Sequence, residues 1–167
     1  MYDELTAVDI QKMQEELEHR IRVLRPQLIA DVQTARAFGD LSENFEYKCA
    51  KQEKNRNESR IRYLERMIRT AKVITVQSDE DCVGLFDTIV VLNEKLGKEM
   101  TFRIVTTLRQ DALKGRISKE SPVGKALLGH RVGERVLVRV NDDLQYYLVI
   151  RSIEKGEDDT TMEISSY

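Results

Sequence analysis

The sequence predicts an α+β protein in which a long antiparallel helical hairpin precedes a small β-rich module. One observation is a change of periodicity near residue 75: apolar residues recur at helical spacing before it and follow strand patterns after it. Another is a turn segment at 39–44 that divides the helical part in two. These observations predict a hairpin domain at 1–75 with its tip at 39–47, a β domain at 76–153 and a polar tail at 154–167.

The first helix is predicted from apolar residues that step by three or four positions: Ile10, Met13, Leu17, Ile21, Leu24, Leu28, Val32 and Ala35. This eleven-residue repeat predicts a nearly straight helix, on the order of 45 Å long. Thr6 or Asp9 is a suitable cap and Gly39 a suitable stop. Pro26 lies inside the pattern and predicts a bend rather than a break, because the apolar spacing continues through it.

A second helical stripe follows the turn: Tyr47, Ala50, Lys54, Asn57, Ile61, Leu64, Ile68 and Ala71. Folding the chain at 42–43 places the two stripes in one register, with Leu28 opposite Asn57 and Leu24 opposite Ile61. Independent helices would match in this way only by chance, so the pattern predicts an antiparallel, coiled-coil hairpin.

The β module is predicted as an antiparallel sheet with one short helix. Four segments rich in Val, Ile, Thr and Tyr are the expected strands: Phe86–Leu92, Met100–Val105, Arg135–Val140 and Gln145–Ile153. The helix, Val123–Leu128, has Ser121 as its cap, Pro122 at its first position and Gly129 at its end. The tail is polar and acidic, which predicts partial disorder.

Composition excludes several classes of protein. Cys49 and Cys82 have no spacing typical of a zinc site or a disulfide framework. The N-terminus lacks a signal-peptide core, and no apolar run approaches the ~20 residues of a membrane span, so we expect a cytoplasmic protein. Residues 45–72 carry 9 Lys and Arg against 4 Asp and Glu, which is typical either of a solvated helix face or of a surface that meets phosphate or an acidic protein.

The tip contains two carboxylates, Asp40 and Glu43, whose spacing allows two interpretations. A capping box would have Asp40 cap the second helix and Glu43 reach back to the cap residue's backbone N–H. Alternatively, the pair could lend oxygens to a magnesium ion that another protein mainly holds, because Mg²⁺ often takes only one or two protein carboxylates. Spacing alone leaves both open.

The residues Gly39-Asp40-Leu41-Ser42-Glu43-Asn44-x-Glu46-Tyr47, preceded by Ala35-Arg36, resemble the tip motif of the GreA/GreB transcription elongation factors, most closely the GreA members. The similarity covers nearly the whole chain. Arg25-Pro26 resembles the family's first helix, and the segments from Gly115 to Gly129 and Val132-Gly133-Glu134 resemble its C-terminal domain. The resemblance implies that the β module is FKBP-like and docks on RNA polymerase.

The resemblance also implies a function. The hairpin would enter the secondary channel of a backtracked bacterial RNA polymerase and stimulate the polymerase's own Mg-dependent cleavage of RNA. Asp40 and Glu43 would share the second Mg²⁺ and orient the attacking water, while the isolated protein would hold no cofactor and would not itself be an enzyme. The expected partners are the polymerase, the 3′ end of the nascent RNA and the DNA of the elongation complex, with no membrane, and we expect a monomer.

Residues at the tip and in the basic block that follows it have further expected roles. Four residues are expected to support the tip, by orienting the acids, by meeting polymerase and RNA, or by packing: Arg36, Ser42, Asn44 and Tyr47. Four basic residues are expected to face RNA or the polymerase channel: Lys48, Lys51, Arg56 and Arg60. Phe45 departs from the small residue expected there, and its ring would either stack on a base or shield the tip.

Three other functions compete with cleavage stimulation. A secondary-channel inhibitor would keep the architecture without promoting cleavage. A helical adaptor would explain the apolar stripes but leave the tip motif to chance. A prolyl isomerase would need an aromatic-lined pocket, which an aromatic content of 6% without Trp disfavours. The sequence does not distinguish short from long cleavage products.

Overall fold

The computed structural model describes residues 3–40 and 43–166. These residues divide into a helical unit, Ile10–Ala71, and a β-rich unit formed by Glu4–Asp9 together with the chain from Lys72 onward. No helix within the described ranges is both long enough and apolar enough to cross a membrane.

The helical unit is an antiparallel hairpin, as predicted. Its first arm consists of α1 (Ala7–His19), a π-helical turn (Arg20–Leu24) and α2 (Arg25–Arg36), and its second arm is α3 (Phe45–Thr70). Every predicted stripe position of the first arm is buried or partly buried. In α3 the predicted positions Asn57, Ile61 and Leu64 are buried.

Pro26 is accommodated without a break in the first arm. His19, Leu24 and Arg25 all keep right-handed helical dihedral angles. The proline has no N–H to donate, and the π-helical turn just before it re-routes the backbone bonding, so that the Arg25 N–H donates to the Arg20 carbonyl. The sequence predicted the continuity of the helix but not the π-helical turn.

The predicted register of the hairpin is wrong. Asn57 does not lie opposite Leu28: its amide donates to the Arg20 carbonyl at 3.3 Å and accepts from the Arg20 guanidinium at 3.0 Å. Arg60 donates two hydrogen bonds to Glu16, at 2.8 and 3.0 Å. These polar pairs, which an apolar pattern does not reveal, align the two arms.

The β-rich unit contains a five-stranded sheet. Its strands are β3 (Thr88–Asn93), β4 (Lys98–Val105), β5 (Arg116–Ser118), β6 (Arg135–Arg139) and β7 (Gln145–Glu154). Their order in the sheet is β5-β4-β3-β7-β6. The sheet is mixed, since β4 and β5 are parallel, so the prediction of a purely antiparallel sheet is wrong; β5 is too short for its pattern to be recognised. Phe86 has φ +69°, a left-handed conformation that a strand cannot contain, and β3 therefore begins after it.

The core of this unit lies between the sheet and helix α4 (Pro122–Leu127). The Ser121 hydroxyl caps α4 by accepting from the Gly124 N–H at 3.0 Å, as predicted. The buried core residues are Val83, Ile89, Val91, Ile104, Leu127, Val136, Val138, Leu148 and Ile150. The FKBP-like assignment stays a prediction.

The N-terminal segment joins the β-rich unit through a two-stranded parallel sheet, in which β1 (Glu4–Leu5) pairs with β2 (Lys72–Val73). Thr6 and Asp9 then form a reciprocal capping box at the start of α1: the Asp9 N–H donates to the Thr6 hydroxyl at 3.3 Å, and the Thr6 N–H donates to the Asp9 carboxylate at 3.1 Å. Both predicted cap candidates therefore act together.

The buried Arg109 binds both residues of this capping box. Its guanidinium donates to the Asp9 carboxylate at 2.6 Å and to the Thr6 hydroxyl at 3.1 Å. It also pairs with Asp158 of the C-terminal tail at 2.6 Å and lies over the Phe86 ring, 4.9 Å from its centroid.

The tail packs against the β-rich unit as far as Ser165, contrary to the predicted partial disorder. Met162 is buried against Phe86 and Val105, and the Ser165 N–H donates to the Leu108 carbonyl at 2.6 Å. A Cβ at Gly156 would lie 2.0 Å from the Phe86 carbonyl oxygen, so glycine is required for this approach. Composition alone misled the prediction, because a few buried contacts fix an otherwise polar segment.

Candidate functional site

The first arm of the hairpin ends in a tightened helical turn. The N–H groups of Ala37 and Phe38 donate to the carbonyls of Thr34 and Ala35, at 3.1 and 3.2 Å. Gly39 has φ +137°, a conformation that side chains disfavour, so the helix stops near the residue predicted as its stop. Leu41 and Ser42 lie outside the described residues, and with them the predicted supporting role of Ser42.

Asn44 caps the second arm and also ties it to the first. Its side-chain oxygen accepts from the Tyr47 N–H at 3.0 Å, and its amide nitrogen donates to the Ala35 carbonyl at 2.7 Å. The predicted capping box of Asp40 and Glu43 is therefore wrong: α3 starts later than that box requires, and Asn44 supplies the cap.

Asp40 and Glu43 are both exposed and both lie between the two arms. Since the cap is provided by Asn44, neither carboxylate is required to start α3. Within residues 3–40 and 43–166, no group of three or more His, Cys, Asp or Glu side chains could hold a metal ion. The two carboxylates can therefore supply oxygens to a metal site, but the described chain does not complete one.

Tyr47, Arg36 and Lys51 form a polar cluster beside the tip. The Arg36 guanidinium lies 5.5 Å from the centre of the Tyr47 ring, and the Lys51 ammonium lies 6.0 Å from it. The hydrogen bond from Arg36, aided by the charges of Lys51, Arg36 and Lys54, lowers the pKa of Tyr47. Arg36 and Tyr47 are thus brought together as tip residues.

The predicted basic face is only partly present. Lys48 and Lys51 are exposed, and Arg56 is exposed and paired with Glu53 at 2.8 Å. Arg60 is 5% exposed and bound to Glu16, so its prediction as an outward-facing residue is wrong. A helical seam can bury an arginine when a carboxylate from the facing helix pairs with it, which charge counting along one helix cannot reveal.

Two aromatic rings flank the acids. Phe38 is 70% exposed and Phe45 is 75% exposed. The predicted accessibility of Phe45 agrees with this placement. Phe38 lies three positions after Ala35, and the spacing of the buried stripe by itself would place it in the seam. The signal in the sequence for its exposure is its position next to Gly39, where the helix stops.

Comparison with known proteins assigns both parts of the chain. Residues 4–73 match the family described as "Transcription elongation factor, N-terminal", and residues 77–155 match "Transcription elongation factor, GreA/GreB, C-term". Transcription elongation factor GreA of Bacillus subtilis is 41% identical over 135 residues, which are 81% of this chain and 86% of that protein. GreA of Oenococcus oeni is 38% identical over 92% of this chain and 95% of its own.

This chain belongs to the GreA/GreB family. It is a transcription elongation factor of the kind that the resemblance predicted, and its similarity to GreA members is confirmed. Among solved structures, GreA factor homolog 1 of Thermus thermophilus is 26% identical, covers 93% of this chain and 100% of its own, and has a TM-score of 0.43.

The family match covers the whole hairpin and nearly all of the β-rich unit, and it ends at residue 155. The packed tail, including Asp158 and Met162, lies beyond it. Within the matched part, the tip combines exposed carboxylates, a capping amide that joins the two arms and a basic, aromatic flank.

Proposed function

We propose that this GreA/GreB family member binds RNA polymerase and stimulates the polymerase's cleavage of backtracked RNA. In this proposal the hairpin enters the secondary channel, and Asp40 and Glu43 act at the polymerase's active site. The chain adds charge and positioning to a reaction that another protein catalyses. The proposal thus describes a factor that rescues arrested complexes, and not a nuclease.

The observation that carries the proposal is the exposure of Asp40 and Glu43 between the two arms. Exposed carboxylates are accessible to a metal ion that a second protein holds. Asn44 provides the cap of α3, and the seam is aligned by other residues, among them Glu16 and Arg60. Family membership adds support, because the relatives that match most of the chain are named transcription elongation factors.

The residues at the tip fit the chemistry of a shared magnesium site. Mg²⁺ prefers oxygen ligands, and one or two protein carboxylates are often sufficient when phosphates and waters provide the rest. Asp40 and Glu43 would hold such an ion together with the polymerase, which would supply and mainly bind it. When bound, Mg²⁺ supplies stabilisation of negative charge on the phosphate and a more acidic bound water.

The other residues of the tip position the two acids. Asn44 fixes where α3 begins relative to the end of α2, through its 2.7 Å bond to the Ala35 carbonyl. Arg36 and Lys51 place positive charge beside the acids, around the Tyr47 ring. The exposed Lys48, Lys51 and Arg56 would steer the tip towards RNA or an acidic channel. We further propose that the β-rich unit docks on the polymerase and that the chain acts as a cytoplasmic monomer.

The test is a cleavage assay on stalled, backtracked elongation complexes with labelled RNA and Mg²⁺. The wild-type chain should release short fragments from the 3′ end. Asp40→Asn and Glu43→Gln each remove a charge while keeping the size of the side chain, and each should lower stimulated cleavage by about 10²-fold, as when one group that stabilises transition-state charge is removed. Competition with labelled wild-type factor should show unchanged binding to polymerase.

Glu46→Gln is the matched control. Glu46 is exposed and lies in the first turn of α3, so the variant removes the same charge from the same end of the hairpin. It should cleave like the wild type. If the wild-type chain binds polymerase and slows elongation without releasing fragments, the protein is an inhibitor and the proposal is wrong. Equal losses in Asp40→Asn and Glu46→Gln would show that only net charge matters.

A further inference from the structure

The two phenylalanines at the tip lie outside the buried seam of the hairpin and are largely exposed. The buried stripe of α2 ends with Ala35, which is 6% exposed, and Phe38 beyond it is 70% exposed. In α3 the first buried residue is Asn57, whereas Phe45 is 75% exposed. Exposing large apolar rings to water is unfavourable. Single exposed rings are nevertheless common on protein surfaces, whereas two exposed rings beside one turn indicate a contact surface.

The structure brings both rings to the same end of the hairpin. Phe38 follows the last turn of α2, and Phe45 is the first residue of α3. The bond from the Asn44 amide to the Ala35 carbonyl, 2.7 Å long, holds these two helix ends together. Each ring is also two positions in sequence from one of the acids, Asp40 or Glu43.

Charge alone does not select a ligand for this end of the hairpin. Three exposed cationic side chains, Arg36, Lys48 and Lys51, are balanced by three exposed carboxylates: Asp40, Glu43 and Glu46. These cations can steer the tip towards RNA, but beside the three carboxylates they give a bound phosphate little net attraction. Exposed aromatic faces with cations nearby are instead typical of surfaces that bind single-stranded nucleic acid, because bases stack on the rings while Lys and Arg meet the backbone.

We infer that Phe38 and Phe45 form a stacking platform for an unpaired base near the 3′ end of the RNA. This inference rests on the proposed function, which brings that RNA to the acids. The platform holds the extruded nucleotide by its base, independently of the phosphate that reacts. Because every base has an aromatic face, the site accepts all four and favours the purines, which offer the larger ring.

The test compares backtracked complexes whose extruded 3′ nucleotide carries adenine, uracil or no base. At limiting factor, the wild-type chain should cleave the adenine RNA on the order of tenfold faster than the abasic RNA, after correction for cleavage without factor. Phe45→Ala and Phe38→Ala should reduce that ratio towards one and leave cleavage of the abasic RNA unchanged. Phe45→Tyr should restore the ratio, whereas Phe45→Leu should not.

Val23→Ala is the matched control, because Val23 is a 51% exposed apolar residue of the same unit, away from the tip. It should behave as wild type on all three RNAs. Stimulated cleavage that does not depend on the base overturns the inference and leaves the proposed function intact. The inference is also overturned if the phenylalanine variants lose stimulated cleavage equally on all three RNAs and bind polymerase more weakly. That result would assign the rings to a contact with the polymerase.

A second readout decides the inference if the wild-type chain stimulates no cleavage. RNA ending in photoreactive 4-thiouridine is irradiated in the same complexes with the factor bound. Cross-linking to residues 38–45 that falls several-fold in Phe45→Ala supports the platform even though the proposed function has failed. Absence of any cross-link to this segment, with the factor bound, overturns it.

Discussion

Replacing Arg109 by Met should strongly destabilise the β-rich unit. The Arg109 side chain is fully buried, and so is its partner Asp9. Methionine fills much of the volume of the arginine stem but cannot donate a hydrogen bond. Asp9 would keep its bonds from Thr6 and lose the 2.6 Å bond that neutralises it, while Asp158 and the Asp159 carbonyl would lose their contacts as well.

The size of the effect follows from the charge that is left behind. Breaking a buried ion pair by removing one partner costs about 3–5 kcal/mol, because the remaining charge is desolvated without compensation. For a unit of roughly 100 residues this lowers the melting temperature by on the order of 10–20 °C. Adding Asp9→Asn removes the orphaned charge and retains an oxygen that can accept from the Thr6 N–H. The double variant should therefore be more stable than Arg109→Met alone.

Differential scanning calorimetry of the full chain measures both effects. Arg139→Met is the matched control, since Arg139 is exposed at the end of β6, and a change of that kind stays within about 0.5 kcal/mol. Arg109 does not compensate a buried charge on Asp9 if the free energy of unfolding of Arg109→Met lies within about 1 kcal/mol of the wild type. The same follows if adding Asp9→Asn lowers the stability further by the full cost of its own substitution.

Three further predictions concern the cap, the seam and the tail. Asn44→Ala should lower the unfolding free energy of the hairpin, measured by urea denaturation, by about 1 kcal/mol, because the cap of α3 is lost. Asn44→Asp can still cap α3 but cannot donate to the Ala35 carbonyl. It should therefore retain most of the stability and still reduce stimulated cleavage. Burial raises the pKa of Glu16, but hydrogen bonds from Arg60 and Arg20 outweigh it and lower the pKa below the ordinary 4.5. The stabilisation that ionised Glu16 contributes is therefore present above pH 4.5 and is lost as the pH falls through the lowered pKa. Glu16→Gln should flatten the acid limb of the curve of unfolding free energy against pH, and a curve with the same shape as wild type would contradict this assignment. Met162 is only 5% exposed and packs against Phe86 and Val105. Met162→Ala should therefore lower the free energy of thermal unfolding by about 2 kcal/mol or more. An unchanged free energy would mean that the tail is not part of the folded unit.

The sequence was most informative where a regular apolar repeat ends or begins at a residue that caps or stops a helix. The stripe from Ile10 to Ala35, the stop near Gly39 and the Ser121-Pro122 start of α4 all follow from local chemistry, which each residue carries with it. The same is true of the tip. Two antiparallel helices must be joined by a turn, and Asp40 and Glu43 lie in the segment that joins them. Features of this kind need no knowledge of distant contacts.

The missed features depend on contacts between residues far apart in sequence. Arg109 and Asp9 are separated by 100 positions, and nothing in either local pattern announces their pairing. The pattern of α3 alone predicts a surface cation at Arg60, because its partner, Glu16, belongs to the other arm. The tail was misjudged for the same reason, since its order comes from Phe86, Val105 and Leu108 and not from its own composition.

The polar pairs in the seam have a consequence for the tip. Apolar stripes spaced by three and four residues would pack almost as well if one arm slipped by a turn, about 5.4 Å along the helix axis. Slippage would separate Asn57 from Arg20 and Arg60 from Glu16 while leaving these groups buried, and each unpaired group costs about 1–3 kcal/mol. The apolar seam determines how strongly the two arms associate, whereas the polar pairs determine the register in which they pack. Because Asn44 bridges the same two arms, the register fixed in the seam also fixes where Asp40 and Glu43 are presented.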